Sequence, residues 1–505
     1  MTRILNCSLK TFASGLFLAC ALHAELTLPL LFSDHMVVQR NAPVHVWGRA
    51  EVGERISVRF GSGELSVVTS DRGLWSVFLP PMAAGGPYQM TVQGANLVTL
   101  RDVLVGDVWV GSGQSNMEMS VASSKDAALE IAGGDHPQIR LLTVKRRVSP
   151  YPRSDVETDG WVASSPISVG RFSAIMYFFG RHIQDTQKVP IGLIHSSWGG
   201  TPLEAWMSTA SLTSDSSFMP ALALWSKTMD GFEDWQWKWD RQLKQWEQKV
   251  ADAKATGAPV PGRPWSNNQE NSWMPGGLYN AMIAPLTPFP IRGVLWYQGE
   301  SNATLERAEL HERMFPAMIR DWRKSWGVGN IPFLFVQLAN YKAAEGNRWP
   351  ELRETQLKTL SETKTGMAVA IDIGEEKDIH PRNKQEVGRR LALAARSLAY
   401  GEQLEYSGPI YRTSAIEGAS MRVWFDHATT LQSRGGASDP VQGFELAGGD
   451  AKFFAAQARI DGSTVVVTSE SVPNPTQLRY AWRDNPKCNL ENGEGLPASP
   501  VRSSR

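Results

Sequence analysis

Hydrophobic and polar positions alternate with period two at both ends of the chain. From about residue 25 to 105 the short segments include "VHVWG" and "RISVRF", and turns containing glycine or proline separate them. Short alternating strands with frequent turns are typical of a small β-sandwich. From about 401 to 505 the same period returns, as in "MRVWFD", and this predicts a second β-sandwich.

Between these ends, continuous apolar runs alternate with amphipathic helix patterns. The apolar runs are "VLVGDVWVG", "IRLLTV", "VPIGLIHSS", "IRGVLWYQG", "IPFLFVQLA" and "GMAVAIDIG". Continuous apolar strands separated by helices favour a parallel sheet that is covered on both faces. We therefore predict an α/β fold, with a three-layer αβα domain at 106–400 between β-sandwich domains at 25–105 and 401–505.

One stretch, at about 220–280, interrupts this alternation and predicts an inserted helical excursion. Five apolar side chains of the stretch fall on one face of a helix. They are Phe232, Trp235, Trp239, Leu243 and Trp246. Apolar stripes at helical spacing usually pack against a core, so we interpret this face as a packing face rather than a platform for stacking sugars.

The N-terminal segment has the order of a secretory signal. Basic residues precede an apolar stretch at 12–22, and the small residue Ala24 follows it. This order predicts a signal peptide at 1–24 and export of the mature protein to the periplasm or the extracellular space. Lipid attachment at Cys20 is an alternative. No other stretch reaches the roughly 18 apolar residues that span a bilayer, so no membrane span is predicted.

The charge and the motif content exclude several classes of function. Lys+Arg and Asp+Glu both number 51, the formal net charge is zero, and no basic stretch indicates a nucleic-acid partner. The chain contains no HExxH motif, no calcium-loop spacing and no phosphate-binding or dinucleotide glycine motif. We therefore predict neither a metal nor a cofactor. Cys488 is the one cysteine beyond the predicted signal, which excludes a disulfide within the mature chain.

Polar residues follow four of the predicted strands. Ser115 follows the first strand, "WGGT" at 198–201 follows another, and "QGESN" at 298–302 and "EEKDIHP" at 375–381 follow two more. The carboxyl ends of parallel strands meet at one edge of the sheet, where ligands bind. A serine with a histidine base, an orienting carboxylate and amide donors for an oxyanion is the residue set used in acyl transfer.

Four blocks of sequence resemble the sialate O-acetylesterase family within the SGNH-type serine hydrolases. They are "GQSNM", "SSWGGTPLEAW", "LWYQGESN" and "DIHPRNKQEVGRRLA". The similarity continues into "LFSDHMVVQRNAPVHVWG" and the C-terminal "YAWRDNPKCNLENGEGLPASP", so it covers essentially the whole predicted mature chain. The resemblance implies a serine esterase that releases acetate from O-acetylated sialic acid, most often from the 9-position.

The resemblance also implies roles for individual residues. Ser115 corresponds to the nucleophile and His380 to the general base. The expected oxyanion donors are the backbone N–H of Ser115, the backbone N–H of Gly199 or Gly200, and the side-chain amide of Gln298, with Asn302 in reserve.

The acid that would orient His380 is left open. The wider SGNH pattern places an aspartate three residues before the histidine, where this chain has Lys377. Asp378 lies two residues before His380, on the same side if the segment is extended. The site is therefore a triad with Asp378 or a Ser/His dyad helped by a carbonyl, and Asp372 and Glu375 are outside candidates.

The four sequence blocks do not indicate which acetylated sugar is the substrate. Acetylxylan esterases carry similar "GQSNM" and "QGES" blocks, so an acetylxylan or other carbohydrate acetylesterase is the alternative. A non-catalytic carbohydrate-binding protein is an alternative of another class, favoured by the 19 tryptophans. The sequence does not indicate the oligomeric state.

We expect structural roles for the remaining carboxylates and histidines near the motifs, which are Glu118, Glu204, Glu300, His195 and His35.

Overall fold

The computed structural model of the protein describes residues 25–230, 232–262, 272–436 and 439–503. The predicted signal peptide, with Cys20 and Ala24, lies outside the described residues. In the described ranges, no helix is long and apolar enough to cross a membrane.

The N-terminal part consists of two small sheets that face each other. Its strands are β1 (Val37–Gln39), β2 (Val44–Arg49), β3 (Arg55–Phe60), β4 (Gly63–Val68), β5 (Leu74–Leu79) and β6 (Gly85–Gln93). Strands β3, β4 and β6 pair antiparallel in one sheet, while β2 and β5 form the other. Alternate residues of β2 and β3 are buried, so the two-residue period in the sequence predicted these strands correctly.

The next strand, β7 (Leu97–Gly113), joins the N-terminal part to the central sheet. Its first half pairs antiparallel with β6, and its second half is the middle strand of a parallel sheet. The hydrophobic core under the N-terminal sheets is continuous with the core on one face of the central sheet. The domain boundaries proposed from the sequence stay predictions.

The central part alternates strands and helices as the sequence predicted. Its elements are α1 (Ser115–Glu118), α2 (Ala127–Ala132), β8 (His136–Thr143), β9 (Val162–Ser164), α3 (Ala174–Gln187), β10 (Ile191–Ser197), α4 (Thr209–Leu212), α5 (Met219–Asp230), α6 (Phe232–Thr256), β11 (Gly293–Tyr297), α7 (Leu305–Trp326), β12 (Phe333–Gln337), α8 (Trp349–Lys358), β13 (Thr365–Val369) and α9 (Lys384–Leu398). The sheet order is β13-β12-β11-β7-β10-β8-β9, and all but the edge strand β9 run parallel.

Both faces of the central sheet are covered, which confirms the predicted three-layer α/β fold. Val294 and Trp296 of β11 point into one core, together with apolar side chains of α7. Leu295 and Tyr297, the alternating residues of the same strand, point into a second core with α3 and α9. Strands buried on both faces explain the continuous apolar runs in the sequence.

The excursion at about 220–280 contains the helices α5 and α6. The Nε1 of Trp246 in α6 donates to the carbonyl of Pro261 at 3.0 Å, so this tryptophan is bound within the excursion itself. The side chains of Phe232 and Trp235 lie outside the described residues.

The C-terminal part is again all β. Its strands are β14 (Ile410–Glu417), β15 (Ser420–Asp426), β16 (Gln432–Ser433), β17 (Phe444–Ala447), β18 (Phe453–Ala455), β19 (Gln457–Asp461), β20 (Thr464–Thr468), β21 (Gln477–Tyr480), β22 (Leu490–Glu491) and β23 (Val501–Arg502). They form antiparallel sheets in the orders β14-β15-β20-β19 and β18-β17-β21-β23, with a short β16-β22 pair. The two four-stranded sheets enclose a core of their own, as the sequence predicted.

Candidate active site

Three neighbouring strands of the central sheet end at the same level. Gly113 at the end of β7 pairs with Ser197 of β10 on one side and with Tyr297 of β11 on the other. Chain connections run from β7 outward to β8 and β10 on one side and to β11, β12 and β13 on the other. Such a switch point opens a crevice at the carboxyl ends of the strands, and the polar blocks follow these strands.

Gly113 allows the chain to turn sharply into the Ser115 segment. Its φ is +134°, and a Cβ atom at this position would lie 2.1 Å from the Tyr297 carbonyl oxygen. The same carbonyl accepts the backbone N–H of Gln114 at 2.9 Å. Ser115 then begins the short helix α1, so the chain makes a tight strand-to-helix turn at the candidate nucleophile.

The structure brings Ser115 and His380 together. The Oγ of Ser115 lies 2.8 Å from the Nε2 of His380, which is hydrogen-bonding distance, although 265 positions separate the residues in the chain. His380 lies in the loop between β13 and α9. A base within this distance is what a serine hydroxyl requires to become a nucleophile.

Asp378 lies beside the imidazole of His380 without forming a hydrogen bond to it. Its Oδ1 is 3.7 Å from the Nδ1 of His380 and accepts the backbone N–H of His380 at 2.9 Å. The outside candidates bind elsewhere: Asp372 pairs with Arg390 at 2.6 Å, and Glu375 accepts the backbone N–H of Arg382 at 3.1 Å.

The surroundings of His380 favour its neutral form. Burial lowers the pKa of His380 below its usual value, the charge of Asp378 opposes this shift, and the charge of Lys384 reinforces it. A neutral imidazole at physiological pH is the form that accepts a proton from serine.

Gly199 lies next to Ser115, but its N–H already donates a hydrogen bond. A Cβ atom at position 199 would lie 3.1 Å from the Cβ of Ser115. The N–H of Gly199 donates to the Oε2 of Glu118 at 2.9 Å. Gly200, with φ +74°, follows, and its carbonyl accepts the Nε1 of Trp273 at 2.6 Å. An oxyanion would have to displace Glu118 to use the Gly199 N–H.

The amides of Gln298 and Asn302 bind other protein groups in this arrangement. The Nε2 of Gln298 donates to the Thr201 carbonyl at 3.2 Å and to the Oδ1 of Asn302 at 2.6 Å. Asn302 donates to Glu204 at 3.2 Å. The Oε1 of Gln298 is buried and has no hydrogen-bond partner among the residues that the structure describes. The oxyanion roles of both residues stay predictions.

Sequence reasoning missed a buried polar network behind Ser115. Asn116, which is 1% exposed, accepts from the Nζ of Lys384 at 2.5 Å. Its Nδ2 donates to the Oε1 of Glu300 at 2.5 Å and to the carbonyl of Ile379 at 3.0 Å. Lys384 was visible only as the first residue of a helix pattern, and nothing in the spacing indicated that it is fully buried.

The sequence also gave no indication of an arginine near the site, Arg146. The Nε of Arg146 donates to the Oε1 of Glu118 at 2.7 Å, and its guanidinium lies 5.8 Å from the centre of the Trp198 ring. Trp198 precedes Gly199, and Glu118 ends α1, which begins at Ser115. The side chain of Arg146 is 53% exposed, so one part of it remains open to solvent.

The other histidines and carboxylates near the motifs make structural contacts. His195 is buried and lies 2.5 Å from the Oγ of Ser197, and burial lowers its pKa to about 4. Glu204 pairs with Arg307, and His35 pairs with Asp102 at 2.7 Å. Among the residues that the structure describes, no group of three or more His, Cys, Asp or Glu side chains gathers as metal ligands would.

Comparison with known proteins places these features in one family. The family model "Carbohydrate esterase, sialic acid-specific acetylesterase" matches residues 105–230 and 263–397, which include Ser115 and His380. The chain is 34% identical to the sialate O-acetylesterase of Rattus norvegicus over 426 residues, covering 75% of this chain and 74% of the relative. It is also 34% identical to the sialate O-acetylesterase of Homo sapiens over 419 residues, covering 75% and 72%.

A solved structure resembles almost the whole chain. It is a carbohydrate acetylesterase from Xanthomonas citri, 40% identical, with a TM-score of 0.82 over 95% of this chain and 100% of that chain. The fold and the matching family model define the class as carbohydrate esterase. Within that class, the chain belongs to the sialic acid-specific acetylesterase family, as the resemblance in the sequence blocks predicted.

Proposed function

We propose that the protein is a serine esterase that removes acetyl groups from O-acetylated sialic acids. The observation that carries this proposal is the 2.8 Å contact between the Oγ of Ser115 and the Nε2 of His380, in a chain of this esterase family. The contact lies at the switch point of a parallel sheet, where substrates of α/β enzymes bind.

The proposed reaction has two halves that share one base. The Nε2 of His380 takes the proton of Ser115 while Oγ attacks the acetyl carbonyl carbon. The bond from that carbon to the sugar oxygen then breaks, His380 donates the proton to the departing sugar oxygen, which becomes a hydroxyl, and an acetyl-enzyme remains. Water, deprotonated by His380, attacks the acetyl-enzyme, and acetate leaves as Ser115 regains its proton.

The negative oxygen of each tetrahedral intermediate requires donors that are set in place beforehand. We assign the backbone N–H of Ser115 and that of Gly199 to this role, with Gly200 as the alternative glycine. The position of Gly199 next to Ser115 supports the assignment, and so does the carboxylate oxygen of Glu118 that the Gly199 N–H already binds. An oxyanion would replace one anionic oxygen by another. The amides of Gln298 and Asn302 would donate to the oxyanion only after giving up their present hydrogen bonds to Thr201, Asn302 and Glu204.

The position of Arg146 favours a sialic acid over a neutral sugar as the substrate. Sialic acid carries a carboxylate, which can accept a charge-assisted hydrogen bond from an arginine. The Nε and Nη2 of Arg146 donate to Glu118, so a donor on its remaining nitrogen, Nη1, would serve the substrate. The half-exposed guanidinium of Arg146 and the N–H of Gly199 bind the same carboxylate, that of Glu118, and the guanidinium lies next to Trp198. We propose that it binds the substrate carboxylate while the 9-O-acetyl group reaches Ser115.

A second candidate is an esterase acting on another acetylated carbohydrate, such as acetylxylan. The 40% identity to the Xanthomonas citri carbohydrate acetylesterase, over 95% of this chain, favours it. Initial rates on 9-O-acetylated sialic acid and on acetylated xylan, measured in one assay, separate the two. Equal or higher activity on xylan would contradict the sialate assignment.

Replacement of Ser115 tests whether the protein is catalytic at all. Ser115→Ala should lower the hydrolysis of an activated acetyl ester by at least about 1000-fold, because the nucleophile is lost. Ser120→Ala is the matched control, since the Oγ of Ser120 contacts only Ser123 at 3.3 Å among the described hydrogen bonds. Equal rates for the intact protein and Ser115→Ala would favour the carbohydrate-binding alternative.

We propose that residues 1–24 direct export and are removed. Their order of basic, apolar and small residues supports this proposal. Mass spectrometry of the protein isolated from the cell envelope or medium should show a mature chain beginning at Glu25. A lipid-modified chain beginning at Cys20 would support the anchored alternative instead.

A further inference from the structure

Asn116 connects the segment that carries Ser115 to the loop that carries His380. It follows Ser115 in the chain, and its Nδ2 donates to the carbonyl of Ile379, the residue before His380, at 3.0 Å. One buried side chain therefore links the backbones on both sides of the Ser115–His380 contact.

Every polar atom of the Asn116 amide is used. Its two N–H bonds point to the carbonyl of Ile379 and to the carboxylate of Glu300, and its oxygen accepts from Lys384. A flipped amide would place N–H groups against the ammonium of Lys384 and an oxygen against the Ile379 carbonyl. The donor at Lys384 therefore fixes which way Asn116 faces.

The position of Lys384 is not explained by the stability of its helix. Lys384 is the first residue of α9, where a positive charge is disfavoured by the helix dipole. It is 0% exposed, and burial of a cation is costly. Burial lowers the pKa of Lys384 to about 7 and raises the pKa of Glu300, and each charge partly offsets the shift of the other. Local rules that are broken in this way are expected at functional sites.

We propose that Lys384 is a positioning residue for the reaction. Its ammonium holds the amide of Asn116, and Asn116 in turn holds Ser115 and His380 at the distance that proton transfer requires. Lys384 contacts neither Ser115 nor His380 through a hydrogen bond that the structure describes, so it acts through Asn116. This inference rests on the proposed function of Ser115 and His380.

A purely structural role makes a different prediction. The variant Lys384→Met leaves the Glu300 carboxylate buried without its cation, which destabilises the fold by itself. The double variant Lys384→Met/Glu300→Gln removes both charges, so the melting temperature should return toward that of the wild type. The oxygen of Asn116 still lacks its donor, so we expect kcat to stay low.

The expected result is a fall in kcat of about 10- to 100-fold in both variants, as for a small misplacement of reacting groups. KM should change by less than about threefold, since substrate-binding groups are untouched. Recovery of wild-type kcat together with the melting temperature in the double variant would overturn the proposal. Wild-type kcat in a folded Lys384→Met would overturn it as well.

The pH profile gives a readout that a structural role would not move. The groups that face the Lys384 ammonium are Glu300, Glu375, Asp378, the ring of Tyr297 and the imidazole of His380. The charge of Lys384 lowers the pKa of His380. In Lys384→Met the acidic limb of kcat/KM should therefore move to higher pH, and an unchanged limb would contradict the proposal.

Two controls separate this inference from the proposed function. Lys377→Met removes an exposed cation from the same loop and should leave kcat within about twofold of the wild type. Ser115→Ala in the same assay tests the function itself. Full activity of Ser115→Ala would refute the proposed function, whereas loss in Ser115→Ala with full activity in both Lys384 variants would refute only the role of Lys384.

Discussion

The carboxylate of Asp378 lies 3.7 Å from the Nδ1 of His380 while it accepts the backbone N–H of the same residue at 2.9 Å. The carboxylate is thus fixed by the backbone and not by the imidazole. Both side chains are also about half exposed, at 52% for Asp378 and 41% for His380, so solvent screens the attraction between them.

We therefore expect a small effect of Asp378→Asn. The variant should lower kcat/KM by about tenfold or less, compared with about 10,000-fold where an aspartate fixes the histidine tautomer in a serine protease triad. Glu376→Gln is the control, because Glu376 is an exposed carboxylate of the same loop. A loss of about 1000-fold or more in Asp378→Asn would show that the carboxylate joins a triad during the reaction.

The pH dependence of the wild type should reflect the lowered pKa of His380. Burial is the largest cause of that shift, so His380 should be half protonated at a pH below 6.5, the usual pKa of histidine. The acidic limb of kcat/KM should have its midpoint below 6.5, since a protonated His380 accepts no proton from Ser115. In Asp378→Asn the limb should move to still lower pH, because an anion that favours the imidazolium is gone. A midpoint above 7 in the wild type would contradict this prediction.

Gly199→Ala should impair catalysis more than folding. The added Cβ would lie 3.1 Å from both the Cβ of Ser115 and the Oε2 of Glu118, so one of them must shift by a few tenths of an ångström. We expect kcat to fall about tenfold or more, by the sensitivity of reacting groups to misplacement. The control is Gly133→Ala, whose Cβ would lie 3.5 Å from its nearest described neighbour, the Leu129 carbonyl oxygen. Wild-type kcat in Gly199→Ala would place the oxyanion donors elsewhere.

Arg146→Met should discriminate between charged and neutral substrates. If Arg146 binds the sialate carboxylate, the variant should raise KM for 9-O-acetylated sialic acid by about 10-fold or more, the equivalent of one charge-assisted hydrogen bond. KM for a neutral acetyl ester should change by less than about threefold. Equal changes for both substrates would indicate that Arg146 supports Glu118 and does not bind substrate.

Arg147→Met is the matched control for Arg146→Met. The neighbouring Arg147 is 56% exposed and pairs with Glu157 at 2.7 Å. It makes no contact with Glu118 or Trp198 among the described ion pairs and ring contacts. Its loss should leave the ratio of the two KM values unchanged.

The sequence predicted the layers of the fold, and Ser115 and His380, which it named together, lie in contact at the carboxyl edge of the central sheet. Their catalytic roles stay predictions. Periods of two and continuous apolar runs reflect burial on one or both sides of a sheet, which is a property of each strand alone. The dual pairing of β7 was not predictable, since its apolar run looks the same whether its neighbours are parallel or antiparallel. The Lys384–Asn116–Glu300 network was not predictable either, because its three residues belong to segments that are far apart in the chain.

The contact between the C-terminal part and the central part gives a prediction for stability. The fully buried guanidinium of Arg353 in α8 donates to four carbonyls, which belong to Leu338, Ala339, Arg483 and Asp484 at 2.6–2.9 Å. Arg353→Met should lower the free energy of unfolding by about 3 kcal/mol or more, because buried carbonyls lose charged donors. Arg483→Met, which removes only a 72% exposed side chain paired with Glu445, should cost less than about 1 kcal/mol. Chemical denaturation of both variants measures the difference, and equal losses would show that Arg353 does not hold the two parts together.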